Sequence, residues 1–227
     1  MKRGTAIITG AARAEGLGFA AARKLANSHA AIALVDINQG AVEQAAELLR
    51  QEAGVPVIGL GCDLASPEEI DATLASIEER LPPVQSLVNN AGITSPTPFL
   101  DIKVEEWDRI FAVNIRGMFL ITQRALPAIL KRGNGRIVCM SSTAAQRGGG
   151  TFGTVHYSSS KAAVLGFVRC LARELGASGT TVNAVAPGVI RTGITGGKDA
   201  NRAKIIDSIP MQRDGSAAEV GAVVAFL

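Results

Sequence analysis

Cysteine and histidine are scarce in this chain, and charge of one sign never accumulates. The three cysteines, Cys62, Cys139 and Cys170, are odd in number, far apart and set among apolar neighbours. That pattern excludes a disulfide framework or zinc spacing and predicts three buried thiols in a reducing compartment, the cytoplasm. The two histidines, His29 and His156, have no second ligand at metal spacing and are expected on the surface or in loops. Lys and Arg number 23 against 20 Asp and Glu, a net charge of +3, and the densest basic pairs (Lys2-Arg3, Arg23-Lys24, Lys131-Arg132) are scattered. No basic stripe for nucleic acid is expected. Long apolar runs are missing too. The stretch Thr5-Ala6-Ile7-Ile8 breaks at Thr9-Gly10, too soon for a signal-peptide core, and nothing approaches the ~20 residues of a membrane span. With 25 glycines and 9 prolines in 227 residues, the chain stays under the ~25% of low-complexity or collagenous sequences.

What is present is a chain 47% hydrophobic and 19% charged. At ~150 residues per domain it is best read as one domain, 1–227, able to bury about 70% of its unfolded surface. No repeat and no linker divides it. Short β-rich apolar runs (Ala6 to Thr9, Ala31 to Val35, Pro56 to Leu60, Ser86 to Asn89, Arg136 to Met140, Thr181 to Ala186) alternate with helical spacings. The helical stretches are Gly16 to Ala26, Ala41 to Gln51, Pro67 to Arg80, Val104 to Leu130 and Tyr157 to Leu175. Ser66-Pro67-Glu68-Glu69 marks one start clearly: a capping hydroxyl, a proline at the first helical position and acids for the dipole. This alternation predicts a doubly wound α/β domain whose parallel sheet is covered on both faces, with ligands beyond the carboxyl ends of the strands.

Chemistry-bearing residues cluster at those ends. The first strand runs into Thr9-Gly10-Ala11-Ala12-Arg13-Ala14-Glu15-Gly16-Leu17-Gly18 and then a helix, a turn whose amides and dipole suit a pyrophosphate. A glycine cluster alone is often a mere turn. Asp36, 18 positions after Gly18 at the end of the second strand, adds a carboxylate near the ~20-residue offset that suits ribose hydroxyls, which makes dinucleotide binding the better reading. Farther on, Tyr157 and Lys161 stand at i and i+4, on one helix face. A tyrosine with pKa near 10 needs ~4 kcal/mol to ionise at neutral pH, so a base role demands an adjacent positive charge.

From about residue 4 to the last residue the sequence resembles the short-chain dehydrogenase/reductase family, whose fingerprint is Thr-Gly-x-x-x-Gly-x-Gly. Here five residues rather than three separate Gly10 from Gly16, so Ala14-Glu15 reads as an insertion. The other landmarks follow in order: Asp63-Leu64, Asn89-Asn90-Ala91-Gly92, Asn114, Ser142 in preference to Ser141, and Tyr157-Ser158-Ser159-Ser160-Lys161. After the sixth strand come Pro187-Gly188, Ile190 and Thr192. Ser142 precedes Tyr157 by 15 residues, about two more than the family's usual interval, with the surplus in Arg147-Gly148-Gly149-Gly150.

The resemblance implies a Rossmann fold and an NAD-dependent oxidoreductase, NADP being disfavoured by Asp36, that interconverts a secondary alcohol and a ketone. It implies Tyr157 as general acid/base, Lys161 lowering its pKa and holding the nicotinamide ribose, Ser142 orienting the substrate and Asn114 as fourth member. Taken alone, Asn114 reads equally as a structural kink amide. Gly10, Arg13, Gly16, Leu17, Gly18, Asp36, Asp63, Leu64, Asn90, Ala91, Gly92, Pro187, Gly188, Ile190 and Thr192 are the implied cofactor contacts, with Tyr157 and Lys161. Arg147, Lys198 and Arg202 are loop cations open to an anionic substrate or simply solvated. A 3-oxoacyl carrier-protein reductase and a non-catalytic nicotinamide-binding regulator stay as alternatives. A homotetramer packed through Val104 to Leu130 and Tyr157 to Leu175 is also implied, because Ile110, Phe111, Phe119, Leu120, Leu165, Phe167, Val168 and Leu171 exceed what one sheet face covers. Finally, Ser216 to Leu227 reads as a capped helix after which the family continues into a seventh strand. That strand is expected to be missing from the sheet, leaving the sixth at an open edge.

Overall fold

The computed structural model describes residues 3–149, 153–192 and 206–227. Six strands form its frame: β1 (Arg3–Thr9), β2 (His29–Asp36), β3 (Val57–Gly61), β4 (Val84–Asn89), β5 (Arg136–Met140) and β6 (Thr181–Val185). They lie in the order β3-β2-β1-β4-β5-β6, all pairs parallel. The order reverses between β1 and β4, and that switch point fixes where a ligand crevice opens. Each crossover is helical: α1 (Leu17–Leu25), α2 (Gln39–Ala53), α3 (Pro67–Arg80), α4 (Val104–Phe111), α5 (Met118–Arg132) and α7 (Val155–Leu175), with the short α6 (Ala144–Arg147) before the last.

The period of two along each strand sorts its side chains between two cores. Ile7, Ala33, Leu87, Ile137 and Val182 point to one face and pack against Ile70, Ile77, Ile121, Ile129 and Val164 of α3, α5 and α7. Ile8, Ile32, Leu34, Val88 and Val138 point to the other, against Phe19, Leu25, Val42 and Leu49 of α1 and α2. Val220 and Val224 of α8 (Ala217–Phe226) complete that second face beside α1. Each such side chain contributes ~1.5–3 kcal/mol of burial, so both faces are needed to hold the strand ends in place. The doubly wound reading is what the structure has.

Three local expectations change. The stretch Val104 to Leu130 is two helices, because a π-helical segment, Ala112–Gly117, interrupts it. Cys62 and Cys139 are buried but Cys170 is exposed, on the outer side of α7 with its Sγ 3.4 Å from Glu174 Oε1. Both histidines are fully buried instead of lying on the surface, each held by hydrogen bonds to distant residues. Elsewhere the helix signals hold: Ser66 caps α3 with Pro67 in its first turn, and Ser216 with Glu219 forms a capping box on α8.

Two further short strands, β7 (Ile190–Arg191) and β8 (Gly215–Ser216), pair with each other and add nothing to the main sheet, in which β6 is an edge among the described residues. Of the apolar residues expected at an assembly surface, Ile110, Leu120 and Val168 are buried within the protomer, and Phe119 is 41% exposed. Among the described residues no helix is long and apolar enough to cross a membrane, and no three His, Cys, Asp or Glu residues gather in a metal-holding group.

Candidate active site

At the β1–α1 turn Gly10 has φ +65°, and a Cβ there would stand 2.7 Å from Ala91 Cα. A Cβ at Gly18 would stand 2.7 Å from Gly10 O, so the turn is pressed against the exit of β4 at two positions that only glycine fits. Asn90 locks this contact, its side-chain amide donating to Thr9 O at 3.0 Å and Gly10 O at 2.8 Å. The amides of Asn90 and Ala91 both donate to the Thr9 hydroxyl at 3.0 Å. Ala14 and Glu15 lie in an exposed turn closed by Gly16 N donating to Arg13 O at 2.9 Å, with Gly16, Leu17 and Gly18 at the helix start.

Gly16 stands at the N-cap of α1 and supplies no side-chain cap, so the first-turn amides remain open to an anion. Asp36 closes β2 with Oδ2 accepting from Ala12 N at 3.1 Å and Oδ1 from Asn38 N at 3.2 Å. Each oxygen has a second acceptor direction, which leaves capacity for ribose hydroxyls. Asp63 turns its carboxylate to Ala65 N at 2.9 Å, and Leu64 is buried against the position of Gly117. Open helix amides and the buried Lys161 side chain as donors, with a carboxylate that has spare acceptor capacity, are the groups a nicotinamide dinucleotide requires, so the residues present fit that cofactor.

At the other end of the crevice α7 brings Tyr157 and Lys161 onto one face, with Lys161 Nζ 6.0 Å from the tyrosine ring centroid. The ring is packed by Gly153, and the Ser142 side chain lies near enough to its hydroxyl to act on its pKa. Burial pushes the Tyr157 pKa above the ordinary value near 10, and the Ser142 side chain opposes that rise. Of the two serines after β5, Ser141 is buried with its hydroxyl donating to Lys161 O at 2.7 Å, so Ser142 is the one that faces the tyrosine. Lys161 donates from Nζ to Met140 O at 2.8 Å, and full burial lowers its pKa to about 8.

Asn114 explains the break in the long helix. Its Oδ1 accepts from Ile93 N at 2.8 Å, and its Nδ2 donates to Ile93 O at 2.9 Å and Ser160 Oγ at 2.9 Å. The kink amide and the family landmark are therefore one residue: the π-helical segment turns Asn114 inward onto the chain after β4. A Cβ on Gly92 would lie 3.1 Å from Lys161 Nζ and 3.2 Å from Asn114 Oδ1, so glycine keeps the space between them clear.

Pro187 is tied to the end of β5 by Thr143 N donating to its carbonyl at 3.0 Å, which sets Pro187 and the exposed Gly188 beside Ser142 in the chain's path. Ile190 packs over Gly215 in the small sheet, and Thr192 closes the described stretch half-buried. Arg147 is exposed; Lys198 and Arg202 lie outside the described residues. Sequence reasoning missed His156 and Glu106, bonded to each other beside Tyr157 at a separation of 50 positions with no motif to link them.

A family model described as enoyl-(acyl carrier protein) reductase matches residues 10–227. An uncharacterized short-chain type dehydrogenase/reductase of Sinorhizobium fredii is 42% identical over 229 residues, covering 100% of this chain and 90% of the relative. A 3-oxoacyl-(acyl-carrier-protein) reductase of Escherichia coli is 36% identical over 223 residues, covering 98% of this chain and 88% of the relative. Among solved structures, an actinorhodin polyketide ketoreductase variant with NADPH superposes with a TM-score of 0.90 at 32% identity, over 100% of this chain and 92% of that one. The chain belongs to the short-chain dehydrogenase/reductase family, and with it to the oxidoreductases that interconvert carbinols and carbonyls with a nicotinamide cofactor.

Proposed function

We propose that residues 1–227 form one dinucleotide-binding and catalytic domain in which Tyr157 is the general acid/base, assisted by Lys161, Ser142 and Asn114. The observation that carries this reading is the placement of Tyr157 beside the Ser142 side chain and on one helix face with the buried Lys161, whose Nζ lies 6.0 Å from the ring centroid. The nicotinamide, when bound, supplies or accepts the hydride. The chain does the rest. Ser142 donates to the substrate oxygen and holds it against Tyr157, whose hydroxyl gives that oxygen its proton as the carbonyl becomes a carbinol. The Lys161 ammonium then stabilises the phenolate. Burial raises the tyrosine's pKa further above neutral, which favours the protonated form that acts as the acid of the reducing direction. Oxidation needs added positive charge beside the ring to offset ~4 kcal/mol.

The cofactor we propose is NAD(H). Asp36 can accept two ribose hydroxyls and sets a like charge against a 2′-phosphate, while Ile37 and Asn38 supply no cation. Arg13, exposed on the turn, is the one basic residue nearby in sequence. The narrower substrate reading, a 3-oxoacyl thioester, is favoured by the relatives named for that activity. Cytoplasmic location and a homotetramer built through α4, α5 and α7 complete the proposal, the half-exposed Phe119 supporting the latter. Steady-state assays of acetoacetyl-CoA, secondary alcohols and polyols with NAD(H) and NADP(H), followed by reduced-nicotinamide absorbance, test all of this. Tight NADH binding with no turnover of any of them would favour a regulatory nicotinamide-binding protein, and light scattering showing only monomer would refute the assembly.

A further inference from the structure

Helix α7 starts without the cap its sequence offers. Thr154 occupies the N-cap position, but its hydroxyl makes no cap bond: it donates to Thr97 O at 2.6 Å and stands 3.5 Å from His156 Nδ1. The amide such a hydroxyl would satisfy is that of Tyr157, at the third helical position. It donates instead to the ring of His156, with N and Nδ1 3.0 Å apart. Since Nδ1 accepts there, the neutral imidazole carries its proton on Nε2, which lies 3.3 Å from Glu106 Oε1.

Glu106, on α4, accepts at the same oxygen from the Thr97 hydroxyl at 2.9 Å. The Ser95 and Thr97 hydroxyls are 2.9 Å apart, and Thr154 N donates to Ser95 O at 3.3 Å. The chain after β4, helix α4, the approach to α7 and the first turn of α7 thus close into one ring of hydrogen bonds. The His156 side chain is 0% exposed and that of Glu106 29%. Hydrogen bonds from Ser95, Thr97 and His156 hold the Glu106 carboxyl below the usual carboxylate range. Burying an imidazole against a carboxylate is costly unless their bonds are made, and every one made here bears on the turn that carries Tyr157.

We propose that His156 is a positioning residue for the reaction: its ring caps α7 in place of Thr154 and, through Glu106, fixes the Tyr157 turn against the 95–97 segment at the substrate end of the crevice. This inference rests on the reading of Tyr157 as acid/base. It accounts for an otherwise unused buried pair beside the reacting group, and it makes the orientation of the tyrosine depend on a contact 50 residues away in sequence.

His156→Phe keeps the ring volume and removes both bonds. With the best substrate of the panel above, kcat is expected to fall about tenfold while KM for the nicotinamide stays within about twofold. Hydrogen exchange at the Tyr157 amide is expected to quicken about fivefold, cofactor absent, as for a lost cap. Glu106→Gln retains an acceptor oxygen for His156 and Thr97 and should keep kcat within about twofold of wild type, whereas Glu106→Ala should fall with His156→Phe. A residue that only adds stability would lower Tm and leave kcat per folded molecule unchanged. Should His156→Phe fail to fold, Glu106→Ala, at a partly exposed position, carries the same comparison.

Wild-type kcat and unchanged exchange would overturn the inference, as would Glu106→Gln falling as far as Glu106→Ala, which would assign the effect to charge. Tyr157→Phe run in parallel separates the two failures. If it keeps turnover, the acid/base reading fails while the exchange measurement still judges the cap; if it is inactive beside an unaffected His156→Phe, the inference fails alone.

Discussion

The two histidines are both fully buried, at opposite ends of the sheet, and they hold opposite tautomers. His29 opens β2 at the amino end, where its Nδ1 lies 3.1 Å from Leu25 O, a group that can only accept. The proton is therefore on Nδ1, and Nε2 accepts from the Ser86 hydroxyl at 2.8 Å. Those partners are neutral, as are others nearby: Thr5 Oγ1 donates to Pro82 O and Gly4 N to Gln85 Oε1. His156, at the carboxyl end, has its proton on Nε2 and faces a carboxylate. The amino end uses polar groups to seal the sheet. At the carboxyl end, burial of Lys161 and of the His156–Glu106 pair costs stability, and what those groups gain is a fixed geometry around Tyr157.

Changes at the carboxyl end are therefore expected to act on chemistry first. Tyr157→Phe is expected to lower kcat about a thousandfold while leaving NADH affinity nearly intact, since it removes the proton and keeps the ring. Lys161→Ala should lose both turnover and cofactor affinity. Steady-state rates beside fluorescence titration of NADH check the pair, and residual Tyr157→Phe activity within about tenfold of wild type would take the tyrosine out of the mechanism.

At the amino end the expected effect is on stability alone. Burial, opposed by the bond to Leu25 and helped by Arg3, lowers the His29 pKa from 6.5 to about 4. The unfolded chain therefore takes up this proton near 6.5 and the folded one only near 4, so stability is complete above that window and falls as pH drops through it. The loss is on the order of 3 kcal/mol at ~1.36 kcal/mol per unit, levelling off once both states are protonated. Denaturant melts across this range should show the slope in wild type and a flattened one in His29→Gln, with activity at neutral pH unchanged in both. A His29→Gln variant that retained the full slope would place the acid sensitivity elsewhere.

The same contrast decides what was legible in the sequence. Strands showed as short apolar runs because both faces of the sheet are covered, and α3 carried its own start signal in Ser66 and Pro67. Gly10, Gly18 and Asp36 were legible because their spacing along the chain is their spacing at the crevice. What escaped depends on contacts between distant segments. The apolar pattern runs unbroken through 104–130, and only the bond between Asn114 and Ile93 reveals the π-helical interruption. His29 finds Ser86 57 residues away and His156 finds Glu106 at 50, so neither burial could be read locally. Even the choice of Ser142 over Ser141 rested on alignment until the turn after β5 sent the Ser141 hydroxyl to Lys161 O and left Ser142 beside Tyr157.

Lys161 offers a sharper form of the contrast, because there function and stability should move in opposite directions. Its pKa is lowered from 10.5 to about 8 by burial, so the folded protein carries this charge at a cost that shrinks as pH rises from 8 toward 10.5, where the unfolded chain still binds the proton. Lys161→Met removes the cost and forfeits the bond to Met140 O, for a net gain of about 2 kcal/mol at neutral pH. Without cofactor its Tm should rise while turnover disappears. A lowered Tm would mean that the ammonium is compensated locally and that its burial does not cost stability as argued.

The smallest expected effect lies at the rim of the crevice, where Asp36 is half-buried and water screens its charge. Its two oxygens already hold Ala12 N and Asn38 N, so the carboxylate both shapes the glycine turn and repels a 2′-phosphate. Asp36→Ser keeps one acceptor for the turn and removes the charge. The ratio of kcat/KM for NADH over NADPH should then fall about tenfold, chiefly through KM, with Tyr157-dependent kcat little changed. Wild-type protein that already uses NADPH as well as NADH would sink the preference. It would then fall to Arg13, on the turn closed by the Gly16–Arg13 bond, to neutralise the phosphate, and Arg13→Ala would raise KM for NADPH alone.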